Sequence, residues 1–249
     1  MNSFKTYFFI SDLHLGLESR DVETEKEKKL ILFLNYAKSN CDELFIMGDL
    51  FDYWFEYKRV IQKGFYKTFT ALKEFTETGR KLHYFIGNHD FLHRDFFEKE
   101  IGAKLYYQPA HFELNGKKFF IGHGDGLIKN DIGYKILKAI LRNKILQKMY
   151  SFIHPDLGIK LASLSSKTSR NYNSKKYNKD CLFEVAKEKI KDGYDYVIFG
   201  HSHVLSKEKF ENGYYINLGS WLQKPCYGKF INTFEIIDWV QNDKKSNTI

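Results

Sequence analysis

Five short stretches gather carboxylates, an amide and imidazoles, four of them beside glycine: Asp12-Leu13-His14, Gly48-Asp49, Gly87-Asn88-His89-Asp90, Gly122-His123-Gly124-Asp125 and Gly200-His201-Ser202-His203. These are the donor types that two neighbouring divalent cations require: a carboxylate able to bridge them, neutral imidazoles and further oxygens. Such a pair acidifies water toward hydroxide near neutral pH and neutralises developing negative charge, so no protein nucleophile is needed. Singly, each stretch is also what a turn or a helix cap looks like. Their joint placement is more telling, because each falls where a strand pattern runs out into a loop, and open α/β sheets bind ligands at the carboxyl ends of their strands. The adjacent glycines let the backbone turn sharply and come close to the ions.

The elements that must position these residues are legible from periodicity. Residues 5–11 (KTYFFIS) read as a buried strand, and Glu23 to Ser39 as a helix with Leu30, Phe33, Leu34 and Ala37 on one face. The alternation continues with a strand Glu43 to Met47, a helix from about Ile61 to Glu77 closed by Gly79, a strand Leu82 to Ile86 and a short helix Phe96 to Ile101. This is a layered α/β pattern. From Ala103 a second sheet region is expected, with a hairpin turning at Asn115-Gly116. Residues 130–170 interrupt with helical patterns on either side of His154-Pro155; then come a helix to about Lys191, a strand Tyr196 to Phe199, a hairpin at Asn212-Gly213 and a strand Ile231 to Ile237. The expected division is a main domain of residues 1–126 and 177–241, an inserted helical lid of 127–176 and a polar tail of 242–249.

At 249 residues, 43% hydrophobic and 28% charged, the chain has the composition of a globular domain with its own core, which excludes disordered and fibrous classes. Cys41, Cys181 and Cys226 show neither disulfide nor zinc-ribbon spacing, so a reducing cytosol is expected. No signal peptide and no membrane-spanning run is read, which leaves peripheral contact as the expected relation to a membrane. The net charge of +8 is concentrated: residues 126–176 hold eleven Lys or Arg against Asp131 and Asp156. A nuclease would instead spread its basic residues along a groove, so nucleic acid is not the expected partner.

On these motifs, which span residues 12 to 203, the sequence resembles the calcineurin-like metallophosphoesterase family (D-x-H, G-D, G-N-H-[DE], a G-H strand end and G-H-x-H). The resemblance implies a four-layer αββα sandwich. It implies two metal ions, manganese expected and iron or zinc the alternatives. Asp49 would bridge them, with Asp12, His14 and His203 completing one and Asn88, His123 and His201 the other. His89, next to Asn88, would assist the phosphoryl group or leaving oxygen, giving His89, Asn88 and Asp49 as the catalytic set. Asp52, Asp90 and Asp125 are candidates for carboxylates that orient the imidazoles, solvated turn residues being the other reading.

More closely, the chain is similar to the UDP-2,3-diacylglucosamine pyrophosphatases of lipid A synthesis, in ISDLHLG (Ile10 to Gly16), GDLFDYW (Gly48 to Trp54), GNHDF (Gly87 to Phe91) and a helical insertion after His-Gly-Asp. That likeness implies cleavage of the nucleotide-linked lipid to UMP and 2,3-diacylglucosamine 1-phosphate, on the cytoplasmic face of the inner membrane. The lid would hold the acyl chains, and His89, Lys167 and Arg170 would contact substrate. His89 is a departure, since the best-known branch carries Arg there. Two alternatives are another phosphodiesterase or nuclease of the family, and a non-enzymatic scaffold on the same fold; intact donors at all seven positions speak against the scaffold.

Overall fold

The computed structural model describes residues 4–128, 132–161 and 180–239, the side chains of Ile132, Tyr134 and Leu137 excepted. The first sheet is built from β1 (Tyr7–Ile10), β2 (Glu43–Ile46), β3 (Lys81–Phe85), β4 (Ala103–Tyr106), β10 (Cys226–Phe230) and β11 (Phe234–Asp238), in the order β11-β10-β1-β2-β3-β4. β1 through β4 run parallel, joined by α1 (Arg20–Asn40), α2 (Tyr66–Glu77) and a π-helical turn (Phe97–Ile101). The second sheet holds β5 (Ala110–Leu114), β6 (Lys117–Ile121), β7 (Tyr196–Phe199), β8 (Leu205–Phe210) and β9 (Gly213–Leu218), ordered β5-β6-β7-β9-β8. Between β6 and β7 come α3 (Ile132–Leu141), α4 (Lys144–Tyr150), a helix over residues 155–161 and α5 (Leu182–Lys191).

The two-residue period of the strands builds the layers. Along β1, Tyr7 and Phe9 enter an apolar seam shared by both sheets with Phe45, Phe85, Phe119, Ile198 and Phe230, while Phe8 and Ile10 face the opposite way. Those outer positions pack beneath Leu30, Phe33, Leu34 and Ala37 of α1, the face predicted from sequence, and beneath Leu72 and Phe75 of α2. On the far side Phe120, Val197, Phe199 and Tyr215 receive Leu182, Ala186 and Ile190 of α5. Helix, sheet, sheet and helix are therefore stacked, the expected αββα sandwich. Each fully buried Phe contributes roughly 1.5–3 kcal/mol of transfer free energy, so the seam anchors the strand ends firmly.

Several expectations are corrected. β4 completes the edge of the first sheet and does not open the second. The hairpin at Asn115-Gly116 forms, with φ of 47° and 78°. The later hairpin instead turns at Glu211-Asn212, because Gly213 pairs with Phe210 inside the ladder. Gly213 answers to packing, since a Cβ there would press to 2.7 Å from the Tyr194 carbonyl oxygen. The last strand begins at Phe234, after an unpredicted strand, β10, that lies antiparallel to β1. Lys167, Arg170, the boundary at 176/177, the tail from 242 and the end of the second predicted lid helix lie outside the described residues.

Candidate metal centre

All five motifs leave the C-terminal ends of parallel strands: β1, β2 and β3 in the first sheet, β6 and β7 in the second. Facing sheets bring these ends to one edge. There the chain leaves extended geometry abruptly: Asp12, His14, Asp49, His201 and His203 all adopt left-handed backbone, with φ of 54°, 49°, 52°, 66° and 58°. Non-glycine residues enter that region at a cost of about 1–3 kcal/mol each and persist there only when their surroundings hold them. Around Asp12 and His14 the hold is visible: their amides donate to the Gly48 and Asp49 carbonyls at 3.2 and 3.0 Å, and Leu13 between them is buried in the outer apolar layer. The glycines matter for close approach. A Cβ on Gly87 would overlap the Asp49 carboxylate, and one on Gly200 would overlap Ser11 Oγ and Asp12 Oδ2.

The donor atoms fall into two overlapping groups. In one, His203 Nε2 lies 3.1 Å from His14 Nε2 and 3.2 Å from Asp12 Oδ1, with His14 Nε2 3.9 Å from Asp49 Oδ2. In the other, His123 Nε2 is 3.2 Å from Asp49 Oδ2 and 3.1 Å from Asn88 Oδ1, which His201 Nδ1 approaches to 2.8 Å. Asp49 belongs to both. The structure thus gathers all seven sequence-predicted donors at one place.

The charge balance tests whether cations fit. Asp12, Asp49 and His14 are almost wholly buried, and such carboxylates demand a positive partner. Burial opposes a charge on His123, yet the Asp49 carboxylate beside it raises its imidazole to about 10. Burial and the neighbouring His123 push His201 down to about 4. Asp49 is held well below its ordinary value, the imidazoles of His123 and His89 outweighing burial. The buried carboxylates therefore call for positive charge and, against burial, draw the His123 and His203 imidazoles upward, while His201 is kept neutral beside them. An oxygen and nitrogen donor set without sulfur, in overlapping triads that draw on Asp12, His14, Asp49, His89, His123 and His203, suits divalent ions.

Around the donors, Met47's carbonyl accepts from His123 Nδ1 at 2.9 Å and fixes which ring nitrogen faces inward. His89 donates its amide to Asp49 Oδ1 at 2.9 Å and turns Nδ1 onto the Asp52 carbonyl at 3.1 Å, its ring edge-on to His14. The three further carboxylates behave differently from one another. Asp52 Oδ1 lies 3.5 Å from His14 Nδ1 and 3.7 Å from His89 Nδ1, as an orienting carboxylate would. Asp90, raised to about 6 by burial and Asp49, braces backbone instead, accepting from the Leu50 and Gly87 amides and the Tyr84 hydroxyl. Asp125 pairs with Lys138 and Arg142, and although burial opposes its charge, the nearby His123 and Lys138 hold it below the usual carboxylate range.

Sequence reasoning missed a second tier of residues. Asn217 Nδ2 donates to the Gly200 carbonyl at 2.9 Å and to Ser202 Oγ at 2.8 Å, and Asp180 accepts from Tyr215 and Asn217, bracing the loop of His201 and His203. Ser220 donates to the Asp12 carbonyl at 2.8 Å, and buried Lys26 to the His14 carbonyl at 2.7 Å. The stretch Asn217-Leu218-Gly219-Ser220 also leaves a strand end beside glycine, a signal shared with four of the five motifs.

The family model for calcineurin-like phosphoesterases matches residues 5–205. The chain belongs to the calcineurin-like phosphoesterase family. Within it, the chain is similar to a UDP-2,3-diacylglucosamine hydrolase of Porphyromonas gingivalis, 29% identical with 94% of this chain and 97% of that protein covered. It is likewise similar to one of Haemophilus ducreyi, 30% identical with coverage of 87% and 92%.

Proposed function

We propose that this protein hydrolyses the diphosphate of UDP-2,3-diacylglucosamine with one water, releasing UMP and 2,3-diacylglucosamine 1-phosphate. The observation that carries the reading is the convergence of Asp12, His14, Asp49, Asn88, His123, His201 and His203 into two groups that share Asp49. The names borne by the relatives, matched over nearly their whole length, supply the substrate.

In this reading Asp12, His14, Asp49, Asn88, His123, His201 and His203 would hold two divalent ions, manganese first and iron or zinc next, with Asp49 as the shared ligand. Bound there, the ions would supply charge neutralisation of phosphoryl oxygens and acidification of water. The protein's own part is preorganisation. Left-handed backbone and buried hydrogen bonds fix the donors before substrate arrives, so little reorganisation remains at the moment of reaction. With Nδ1 engaged by the Asp52 carbonyl, His89 offers its Nε2 edge to the phosphoryl or leaving oxygen. Residues 1–126 and 177–241 form the catalytic unit and 127–176 the lid, which supplies Lys167 and Arg170 to the phosphates. On α3 and α4 of that lid, Ile136, Ile140, Ile145, Leu146 and Met149 are exposed, apolar surface suited to acyl chains and to peripheral contact with the cytoplasmic face of the inner membrane. No helix among the described residues is long and apolar enough to cross it.

The test is UMP release from UDP-2,3-diacylglucosamine in detergent with manganese, with bis-p-nitrophenyl phosphate and DNA in parallel. Release abolished by chelator is the expected result. Cleavage of the generic diester or DNA without UMP overturns the lipid assignment, and inactivity on all three overturns the enzyme reading.

A further inference from the structure

Two charged side chains of α3 turn toward the protein while two of its isoleucines face out. On a helix resting on a protein, apolar positions ordinarily face the protein and charged ones face water. Here Ile136 and Ile140 are 57% and 49% exposed, whereas the side chains of Lys138 and Arg142, one turn apart, are only 21% exposed. They turn inward to one buried carboxylate, Asp125, itself 6% exposed: Lys138 Nζ lies 2.7 Å from Asp125 Oδ2 and Arg142 Nη2 3.6 Å from it. Lys138 also donates to the Asp125 carbonyl at 2.9 Å, and Arg142 Nη1 to the Tyr107 carbonyl at 2.8 Å. α4, which follows, has no buried side chain, and its last residue Tyr150 reaches the body of the protein through its hydroxyl on Tyr53 at 3.1 Å and its ring on Phe55.

We propose that Lys138 and Arg142 are positioning residues that latch α3 onto Asp125, two residues beyond His123, and so hold the start of the insertion in register with the metal centre by charge, while Tyr150 docks its far side on Phe55. Directional charge-assisted bonds then hold α3 in place, and Ile136 and Ile140 remain exposed for the lipid substrate. Because both cations converge on one carboxylate, their removal leaves Asp125 buried without these partners and releases the start of the insertion.

The test compares wild type, the double variant K138M/R142M and the charge-preserving K138R, each as the full-length protein. Hydrogen exchange of α3 amides, read without metal or substrate, should accelerate about tenfold or more in the double variant, the effect of losing one charge-assisted bond, and stay near wild type in K138R. With manganese, KM for the nucleotide-linked lipid should rise about tenfold in the double variant while kcat, and hydrolysis of bis-p-nitrophenyl phosphate, change less than about twofold, the signature of lost positioning. Unaltered exchange in α3 overturns the latch, as does an equal loss of kcat on both substrates. The kinetic arm rests on the function proposed above. If wild type does not release UMP, that reading fails, and the exchange of α3 alone decides the latch.

Discussion

Asp49 lies between the two groups, near His14 on one side and His123 on the other, so its removal should be felt by both. Asp49→Ala should lose both ions together, whereas His89→Ala should retain two ions per chain and lose turnover by about 100-fold, the usual worth of a positioned acid or base. Metal analysis beside steady-state kinetics checks both, and full metal content in the Asp49 variant would refute the bridging role. Gly87→Ala should mimic the loss, because its methyl group would overlap the Asp49 carboxylate. The convergence of the seven residues was legible in sequence since each motif is local: a candidate donor, a glycine and a strand end within a few positions. Lys26, Asn217 and Ser220 were not, since they act by donating to backbone carbonyls of other segments, Ser220 on Asp12 across most of the chain. A motif records what meets the ion and omits what braces the loop behind it.

Between residue and fold stand the elements, and here buried acids punctuate the loops. Glu56, almost fully buried, accepts the amides of Arg94, Asp95 and Phe96 at the entry to the π-helical turn. Glu56→Ala would leave three amides unsatisfied, so unfolding free energy should fall by about 2–4 kcal/mol, measurable by urea denaturation. Metal stoichiometry should survive, because Glu56 touches no donor. Deleting residues 130–170 should abolish lipid turnover while metal binding persists; normal lipid cleavage by the truncated protein would remove the insertion from the mechanism. Strands and helices were readable where period and burial agree, as in β1 and α1. They failed where an interruption hid the pattern, as with Gly228 in β10, whose missing side chain admits the Phe234 ring. The Asn212-Gly213 signal misplaced its turn by one residue because turn statistics are blind to Tyr194 packed against Gly213.

At the scale of the molecule, the sandwich keeps a second buried charge cluster at the end of the first sheet opposite the metal centre. Glu43 meets His83 Nε2 at 3.0 Å and Lys5 Nζ at 3.0 Å, and His83 Nδ1 meets the Tyr106 hydroxyl at 2.9 Å. The hydrogen bond with His83, then that with Lys5, outweighs burial and holds Glu43 at about 2, below its ordinary 4.5. A depressed carboxylate contributes stability that is complete above its unfolded value and is lost as pH falls through the folded one. Chemical denaturation between pH 5 and pH 2 should show stability declining across that window, and Glu43→Gln should flatten the decline. An unchanged pH slope in the variant would assign the loss to other groups. The left-handed backbone of Asp12, His14, Asp49, His201 and His203 carries a consequence for how this protein could be improved. Glycine or asparagine would relax each of those positions, so a library sorted on melting temperature alone should enrich substitutions at the proposed metal ligands and converge on sturdier, inert proteins. Selection for heat tolerance and selection for turnover pull in opposite directions at the same five codons.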